Sequence, residues 1–380
     1  MSNFNKNMNT LKTIRYDRNI PYNNLPDLPP NDSIIDKEIL LKWGIASRAL
    51  AELNKNILRI PNPLMLVNTI SLQEAQSSTA IENIFTTEDE LYKAVSDTVN
   101  EENANAATKE VLRYREALWG GYNNLQKKKK FDTSVAIKIF QQINKTRQGI
   151  RHPQSQVVIK RGQSQFKPGE VVYTPPRGTA ILEKKLKNLF NFLNQNKEFD
   201  PLLKMAIGHY QFEAIHPFVD GNGRTGRILN QLYLVDQKLL SHPVLYLSKY
   251  IIENKEDYYH LLAGVTQRNA WKPWIIYMLN AVEGTSHLTN NKIDEILLQM
   301  ESTYKYANKK LKWYSIELNQ VLFSQPYIRQ KRIAETTKTR SRTTIIKYIG
   351  KLIDLGILSA QYEGREVFYI NNDLVRILQS

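Results

Sequence analysis

A short segment near the middle of the chain combines residue types that could act together on a phosphate. It reads His216-Pro-Phe-Val-Asp-Gly-Asn-Gly-Arg-Thr-Gly-Arg227. His216 stands directly before a proline, which disfavours helical geometry there, so the preceding helix should end at this residue. A histidine with an ordinary pKa of about 6.5 can accept a proton near neutral pH. The segment therefore offers a general base at a helix exit.

The residues after this histidine have the composition of an anion site. Gly221 and Gly223 permit a left-handed backbone and leave no side chain in the way of a ligand, and Asn222 lies between them. A helix is predicted from about Arg224, so its free N–H groups and positive dipole end would face a bound anion. Arg224 and Arg227 are three apart, and guanidinium groups match phosphate oxygens.

Asp220 adds a hard oxygen ligand of the kind that Mg²⁺ takes together with substrate phosphates. A phosphate cradle, a metal carboxylate and a base together describe phosphoryl or nucleotidyl transfer. Gly221, Gly223 and Gly226 also fit the dinucleotide-binding pattern G-x-G-x-x-G. That pattern needs a preceding strand in a βαβ unit. Helical periodicity precedes it here, so we expect no dinucleotide fold.

The elements that must position this segment are mostly helices. Leu203, Ile207 and Tyr210 lie on one face of the helix that should lead into it. Residues 157–173 contain two β-branched runs around a connection with Gly and Pro, which predicts a β-hairpin. Residues 1–35 read as an extended arm, and further helical patterns begin near residues 35, 64, 88, 132, 181, 224 and 255.

The composition narrows the class of protein. With 380 residues, of which 42% are apolar, the chain should form two or three globular domains. It contains no cysteine, which excludes disulfides and thiolate nucleophiles and favours the cytoplasm. No signal peptide or membrane-spanning run is recognisable. The net charge of +15 favours polyanionic partners such as nucleotides or nucleic acid.

The segment from His216 to Arg227 resembles the signature of the Fic family, His-x-Phe-x-Asp/Glu-Gly-Asn-Gly-Arg with a second arginine after two further residues. Every defining position is filled, and the wider resemblance covers roughly residues 35–285. It implies a mainly α fold, with a Fic helical bundle, a β-hairpin flap and an N-terminal helical region. The activity that it implies is transfer of AMP from ATP to a protein hydroxyl.

The resemblance also assigns a role to each position of this segment, which we call the signature segment. His216 would deprotonate the target hydroxyl, Phe218 would anchor the turn in the core, and Asp220 would hold Mg²⁺. The phosphates of ATP would be bound by the remaining signature residues: Gly221, Asn222, Gly223, Arg224 and Arg227.

Two further regions carry expectations from the resemblance. The hairpin at 157–173 would be the flap, which holds a protein substrate by strand-like main-chain pairing. Tyr258 and Tyr259 fall where relatives have aromatic residues that line the adenine pocket. Packing in the core is the alternative for this tyrosine pair.

Residues 78–83, Ser-Thr-Ala-Ile-Glu-Asn, resemble the inhibitory motif of many Fic proteins, Ser/Thr-x-x-x-Glu-Gly/Asn, and we call them the inhibitory segment. In those relatives the glutamate pairs with the second signature arginine, so Glu82 would compete with the γ-phosphate for Arg227. The alternative is a capping box, in which Thr79 and Glu82 satisfy free N–H groups at a helix start. The resemblance assigns the inhibitory role to Ser78, Glu82 and Asn83.

The last segment, from about residue 314, reads helix, turn, helix and β-hairpin, an order that resembles a winged helix-turn-helix domain. The stretch from Arg329 to Lys351 contains eight basic residues and one acidic residue, Glu335. This basic character suits contact with DNA phosphates. A dimerisation or substrate-docking module with a solvated basic face is the alternative.

These observations predict three domains: an arm and helical region at 1–110, a Fic catalytic core at 111–285 and a winged-helix domain at 290–380, after a polar boundary at 286–291. The leading function is Mg²⁺-dependent AMP transfer from ATP to a Tyr, Ser or Thr hydroxyl, on another protein or on the chain itself. AMP removal by the same site and a DNA-binding regulator that senses nucleotide stay open. The added helical and winged-helix regions are compatible with a homodimer.

Overall fold

The computed structural model describes residues 16–30, 34–60, 63–96, 102–127, 130–161, 169–364 and 366–379. This part of the chain is mainly helical, as the sequence predicts. Among these residues, no helix combines the length and apolar character needed to cross a membrane. In chain order the elements are α1 (Lys37–Ile57), α2 (Pro63–Ile81), α3 (Glu88–Ala94), α4 (Ala106–Gln126), α5 (Thr133–Asn144), β1 (Ile159–Arg161), β2 (Glu170–Tyr173), α6 (Thr179–Gln195), α7 (Pro201–Ile215), α8 (Asn222–Asp236), α9 (Leu247–Glu253), α10 (Lys255–Arg268), α11 (Trp271–Lys310), α12 (Ile316–Leu322), β3 (Tyr327–Ile328), α13 (Gln330–Thr336), α14 (Arg342–Asp354), β4 (Ser359–Glu363), β5 (Glu366–Ile370) and α15 (Asn372–Gln379).

Two central helices, α7 and α8, flank the signature segment. Every residue of α7 after Pro201 is buried, and so is every residue of α8 except Gly223 and Asp236. Helices buried around their whole circumference must be surrounded by other elements. Accordingly, α7 packs against α6, α8 and α11, while α8 also packs against α4 and α5. The turn between them is therefore held on both sides.

The described part of the N-terminal arm, residues 16–30, contains no helix or strand and docks on the bundle. Leu25 and Leu28 are buried in the core. From α6, the Lys185 ammonium donates to the Leu25 carbonyl, and the Asn188 amide bonds both the N–H and the C=O of Leu28, at 2.8 and 2.9 Å. The arm is thus fixed by side chains that satisfy its backbone.

The hairpin predicted at 157–173 is present as two short antiparallel strands. β1 pairs with β2, with Ile159 opposite Tyr173. The Tyr173 hydroxyl donates to the Ala214 carbonyl at 2.8 Å, which ties the hairpin to the end of α7. Residues 162–168, at the tip of the predicted hairpin, lie outside the described residues.

The domain boundary predicted at 286–291 does not coincide with a break in the helical structure. Helix α11 continues through these residues, because the polar side chains that suggested a loop lie on a buried face against α1. Ser286 and Thr289 are buried, and Asn290 Oδ1 accepts a hydrogen bond of 3.2 Å from Asn56 Nδ2 of α1. The predicted break is therefore wrong, while the division into domains stays a prediction.

The C-terminal region has the predicted order of helix, turn, helix and hairpin. Its three strands form one sheet in the order β3, β5, β4, and Gly356 takes the left-handed backbone after α14 that the sequence predicts, with φ +70°. The region packs on the N-terminal helices. Gln73 Nε2 of α2 donates to the Leu378 carbonyl at 2.8 Å, and Lys93 of α3 pairs with Glu363 at 2.6 Å.

Candidate active site

The signature segment starts where α7 ends. His216 has left-handed backbone geometry, with φ 49° and ψ 60°, and its N–H still bonds the Phe212 carbonyl at 3.0 Å. The imidazole is half-buried, and its Nδ1 lies 3.3 Å from the Glu213 carbonyl. A hydrogen on Nδ1 that points at this carbonyl leaves Nε2 free to accept a proton.

The surroundings of this imidazole favour its neutral form. The pKa of His216 is lowered to about 4: burial is the main cause and the Arg151 guanidinium adds to it, while the Glu213 carbonyl and the carboxylates of Glu82 and Asp220 oppose them. A lowered pKa keeps the imidazole unprotonated at neutral pH. His216 is therefore in the protonation state that a general base requires.

The turn after His216 is anchored from inside the bundle. Phe218 is fully buried and stacks on Phe140, with ring centroids 4.2 Å apart. The Asn222 side chain closes the turn, because its Oδ1 accepts from the Phe218 N–H and its Nδ2 donates to the Phe218 carbonyl, both at 2.9 Å. What Asn222 can offer a ligand is therefore its backbone N–H at the start of α8.

The two glycines beside Asn222 serve different spatial needs. Gly221 has φ +71°, and a Cβ there would lie 2.7 Å from Asn144 Nδ2. At Gly223, a Cβ would lie 2.4 Å from Glu82 Oε1 and 2.9 Å from Arg227 Nη1. The Glu82 carboxylate thus lies directly against the first turn of α8, where free N–H groups and the helix dipole favour an anion.

Arg227 is almost fully buried and is held by the inhibitory segment. Its Nε donates to Ser78 Oγ at 2.8 Å, and its Nη2 donates to the Ser78 carbonyl at 2.9 Å and to Glu82 Oε1 at 2.8 Å. Burial by itself would raise the pKa of Glu82, but Arg227, Arg224 and His216 lower it below its ordinary value. The carboxylate therefore marks a point at which several cationic or polar groups favour negative charge.

Arg224 contacts different carboxylates from Arg227. Its Nη1 donates to Glu110 Oε2 at 2.6 Å, and its Nη2 lies 3.4 Å from Asp220 Oδ2. Asp220 keeps 76% of its side chain exposed. In the described part of the chain, no group of three or more His, Asp or Glu residues could hold a metal by itself.

The inhibitory segment lies at the C-terminal end of α2. The capping-box alternative is therefore wrong, since the Thr79 hydroxyl donates to the Ala75 and Gln76 carbonyls within the helix instead of binding an N-terminal N–H. Asn83 follows with left-handed geometry, φ 63°. Lys255 Nζ of α10 holds this end, 2.6 Å from the Ile81 carbonyl and 3.4 Å from Asn83 Oδ1.

The two tyrosines suggested for an adenine pocket have different environments. Tyr258 is buried, its hydroxyl bonds His209 Nε2 at 2.9 Å, and its ring lies 5.6 Å from that of Trp274. Tyr259 is 43% exposed, and burial followed by the charge of Glu82 raises its pKa to about 12. Tyr259 is thus the one of the two that a ligand can reach beside the inhibitory segment.

Sequence reasoning missed three residues around the turn: Glu110, Arg151 and Glu213. Burial raises the pKa of Glu213 to about 7, and its Oε1 has no hydrogen-bond partner among the described residues. This oxygen lies 2.5 Å from the position that a Cβ at Gly226 would take. The available signal for Glu213 was its place three residues before His216, as a carboxylate in a mostly apolar helix.

Family models match the chain in three consecutive stretches. The model of the Fic/DOC family N-terminal region matches residues 40–123, that of the Fic/DOC family matches 130–234, and that of the C-terminal domain of SoFic-like protein adenylyltransferase matches 298–374.

Curated relatives are similar over shorter stretches. A probable protein adenylyltransferase of Aquifex aeolicus is 38% identical over 84 residues, 22% of this chain and 26% of that protein. Protein adenylyltransferase fic-1 of Caenorhabditis elegans is 30% identical over 115 residues, 30% of this chain and 21% of that protein. The chain thus spans about a quarter or less of the length of these relatives.

Solved structures share the fold. A Fic family protein from Desulfovibrio desulfuricans G20 superposes with a TM-score of 0.53 and 18% identity, covering 90% of this chain and 98% of that one. Residues 134–508 of Fic-1 from C. elegans give a TM-score of 0.50, also at 18% identity, covering 70% of this chain and 75% of that one. At this identity, the likeness concerns the fold alone.

Proposed function

Because this chain belongs to the Fic/DOC family, we propose that it transfers AMP from ATP to a Tyr, Ser or Thr hydroxyl of a protein. One observation carries the proposal. The Glu82 carboxylate bonds Arg227, borders Gly223 at the start of α8 and lies within electrostatic range of His216. An anion at this point therefore has a guanidinium, free helix N–H groups and a neutral imidazole around it.

The reaction follows from that arrangement. His216 Nε2 accepts the proton of the target hydroxyl, whose oxygen attacks the α-phosphorus of ATP. The bond between the α-phosphorus and the bridging oxygen breaks, and pyrophosphate leaves. N–H groups at the start of α8, from Gly221 to Gly223, stabilise the charge that develops on the transferred phosphate. Arg224 and Arg227 bind the β- and γ-phosphates.

The donor set near Asp220 fits a magnesium ion. The carboxylate of Asp220 is 76% exposed, and among the described residues its polar contact is the long one of 3.4 Å to Arg224 Nη2. Mg²⁺ is commonly held by one or two carboxylates together with substrate phosphates and water, so a lone reachable carboxylate suffices. Asp220 would hold the ion, which would supply positive charge beside the phosphates.

The decisive experiment incubates the protein with ATP labelled on the α-phosphate and follows label on protein. His216→Ala should reduce transfer by roughly 10²- to 10⁴-fold, the usual range for loss of a general base. ATP binding should persist, since the phosphate-binding groups remain. His287→Ala, an exposed histidine on α11, is the matched control and should leave transfer unchanged. Transfer that survives in His216→Ala would contradict the proposal.

We also propose that the free protein is autoinhibited by Glu82, which occupies the place and charge of the γ-phosphate. The ion pair at 2.8 Å supports this, because ATP cannot use the same N–H of Arg227 while Glu82 holds it.

The chain itself is one candidate target. Removal of AMP by the same site is the alternative, and release of AMP from purified modified protein without added ATP would favour it.

For the C-terminal region we propose binding of duplex DNA through α14. Arg342, Lys347 and Lys351 on this helix are exposed. Arg329 is excluded, since it pairs with Glu366 at 2.7 Å and stacks 4.3 Å from the Phe368 ring. Affinity for duplex DNA should fall steeply with salt. No binding at low salt would favour the docking or dimerisation alternative.

A further inference from the structure

Arg151 connects three parts of the site. This residue lies in the loop between α5 and β1 and is 3% exposed. Its Nε donates to the His216 carbonyl at 2.9 Å, its backbone N–H donates to the Pro217 carbonyl at 2.9 Å, and its Nη2 donates to the Pro176 carbonyl. The loop is therefore bonded to the turn that carries the base and to the chain that leaves the hairpin.

The backbone of His216 needs such support. A non-glycine residue with φ 49° and ψ 60° occupies a sparsely populated region, which persists where the surroundings fix it. Within the described part of the chain, the imidazole itself makes one hydrogen bond, the 3.3 Å contact of Nδ1 with the Glu213 carbonyl. Its direction is therefore set mainly by the backbone, whose carbonyls at His216 and Pro217 are both bonded by Arg151.

The third bond gives Arg151 a role beyond the turn. Pro176 lies three residues after Tyr173, the last residue of β2. One rigid, planar guanidinium thus bridges the His216 carbonyl and the chain that leaves the strand. Because the hairpin is the proposed holder of the protein substrate, this bridge sets the spacing between the base and that substrate.

We propose that Arg151 is a positioning residue for AMP transfer, which holds the His216 imidazole at a fixed distance from the substrate-holding hairpin. The proposal rests on the proposed function. In the described part of the chain, the hydrogen bonds of Arg151 go to the His216, Pro217 and Pro176 carbonyls and not to α8 or Arg227, so we expect ATP binding not to depend on it.

The test compares variants in a Glu82→Gly background, in which the Glu82 carboxylate cannot compete with ATP for Arg227. Arg151→Gln should lower the rate of AMP transfer at saturating ATP by roughly 10- to 100-fold, because a displacement of about 1 Å costs that order of rate. The Kd for ATP should change less than about twofold. Arg151→Lys, which keeps charge and reach to one carbonyl, should recover part of the rate.

Arg177→Gln is the matched control. Arg177 is exposed and lies beside Pro176, and its guanidinium bonds the Pro153 carbonyl at 2.8 Å. This substitution should leave both rate and ATP affinity unchanged. An unchanged rate in Arg151→Gln would overturn the proposal. So would a parallel loss of ATP affinity and thermal stability, which would mark Arg151 as merely structural.

A titration of the His216 ring by NMR gives a readout that does not need AMP transfer. The charged groups that act on this ring are Arg151, Glu82 and Asp220. Since Arg151 lowers the pKa of His216, Arg151→Gln should raise it and move the acid limb of the rate to higher pH. If Arg151→Gln raises the pKa of the ring as expected but the protein shows no transferase activity, the proposed function alone is refuted. An unmoved ring pKa would overturn the placement of Arg151 beside the base.

Discussion

The signature segment and the inhibitory segment meet at Arg227 but are built in different ways. The signature segment is closed by bonds between residues four apart, Phe218 and Asn222. The inhibitory segment reaches Arg227 through contacts that span 149 residues from Ser78 and 145 from Glu82. One is local and anchored in the core, whereas the other is brought into place by the packing of α2.

Because of this difference, substitutions in the signature segment should affect the stability of the fold, whereas substitutions in the inhibitory segment should affect the access of ligands to Arg227. Loss of a contact inside the signature segment should damage the fold, because Phe218 and Asn222 are both buried. Loss of Glu82, which keeps 35% of its side chain exposed, should mainly change what can bind. The substitutions below test this separation, from the largest expected effect to the smallest.

Phe218→Ala should have the largest effect. Removal of a fully buried phenylalanine that stacks on Phe140 should lower the free energy of unfolding by about 3–5 kcal/mol, the usual cost of such a cavity. Urea unfolding measures this. Phe85→Ala is the control, since Phe85 is 69% exposed, and should cost little. Equal losses in both variants would show that the turn is not anchored by its phenylalanine.

Glu82→Gly should raise the affinity for ATP by about 5- to 150-fold, the usual range of coupling between two competing contacts. The reason is that Arg227 no longer has a competing carboxylate. A fluorescent ATP analogue measures the change. Without nucleotide the variant should be less stable, because Arg227 is buried and has lost a counter-charge.

The matched control for Glu82→Gly is Glu253→Gly, which removes an exposed carboxylate that pairs with Lys249 at 3.0 Å. It should not alter ATP affinity. The same affinity in wild type and Glu82→Gly would contradict the inhibitory role and leave Glu82 as a structural ion pair.

Lys255→Met should have the smallest effect. It removes the bonds to the Ile81 carbonyl and Asn83 while keeping the aliphatic stem, so the end of α2 should loosen. ATP affinity should rise by up to about tenfold, since one hydrogen bond to a charged group is worth on the order of 1.5 kcal/mol. Lys249→Met serves as control. A fall in affinity would show that Lys255 acts on ATP directly.

The mainly α fold was predictable from the sequence, because helical periodicity and the signature are local patterns. The hairpin and the order of C-terminal elements were predictable for the same reason. The break predicted at 286–291 failed because Thr289 and Asn290 are polar yet lie against α1, and periodicity does not report what a face packs on. Tertiary packing decided that point.

The candidate site shows the same limit. The roles of His216 and Asp220 follow from the motif and stay predictions, although the structure places them in one turn. Arg151 was not detectable, because its partners are main-chain carbonyls 25 and 65 residues away, and every residue type has a carbonyl. Which tyrosine of 258 and 259 faces solvent likewise depends on the bundle around α10.

The grip of Ser78 on Arg227 shapes how a nucleotide would arrive. Ser78 holds Nε and one hydrogen of Nη2 through its hydroxyl and its carbonyl, independently of the carboxylate four residues later. When that carboxylate moves away, the two bonds to Ser78 still fix the orientation of the buried guanidinium. An incoming triphosphate therefore exchanges one anion for another on a preset cation, and little ordering remains to be done at the moment of binding.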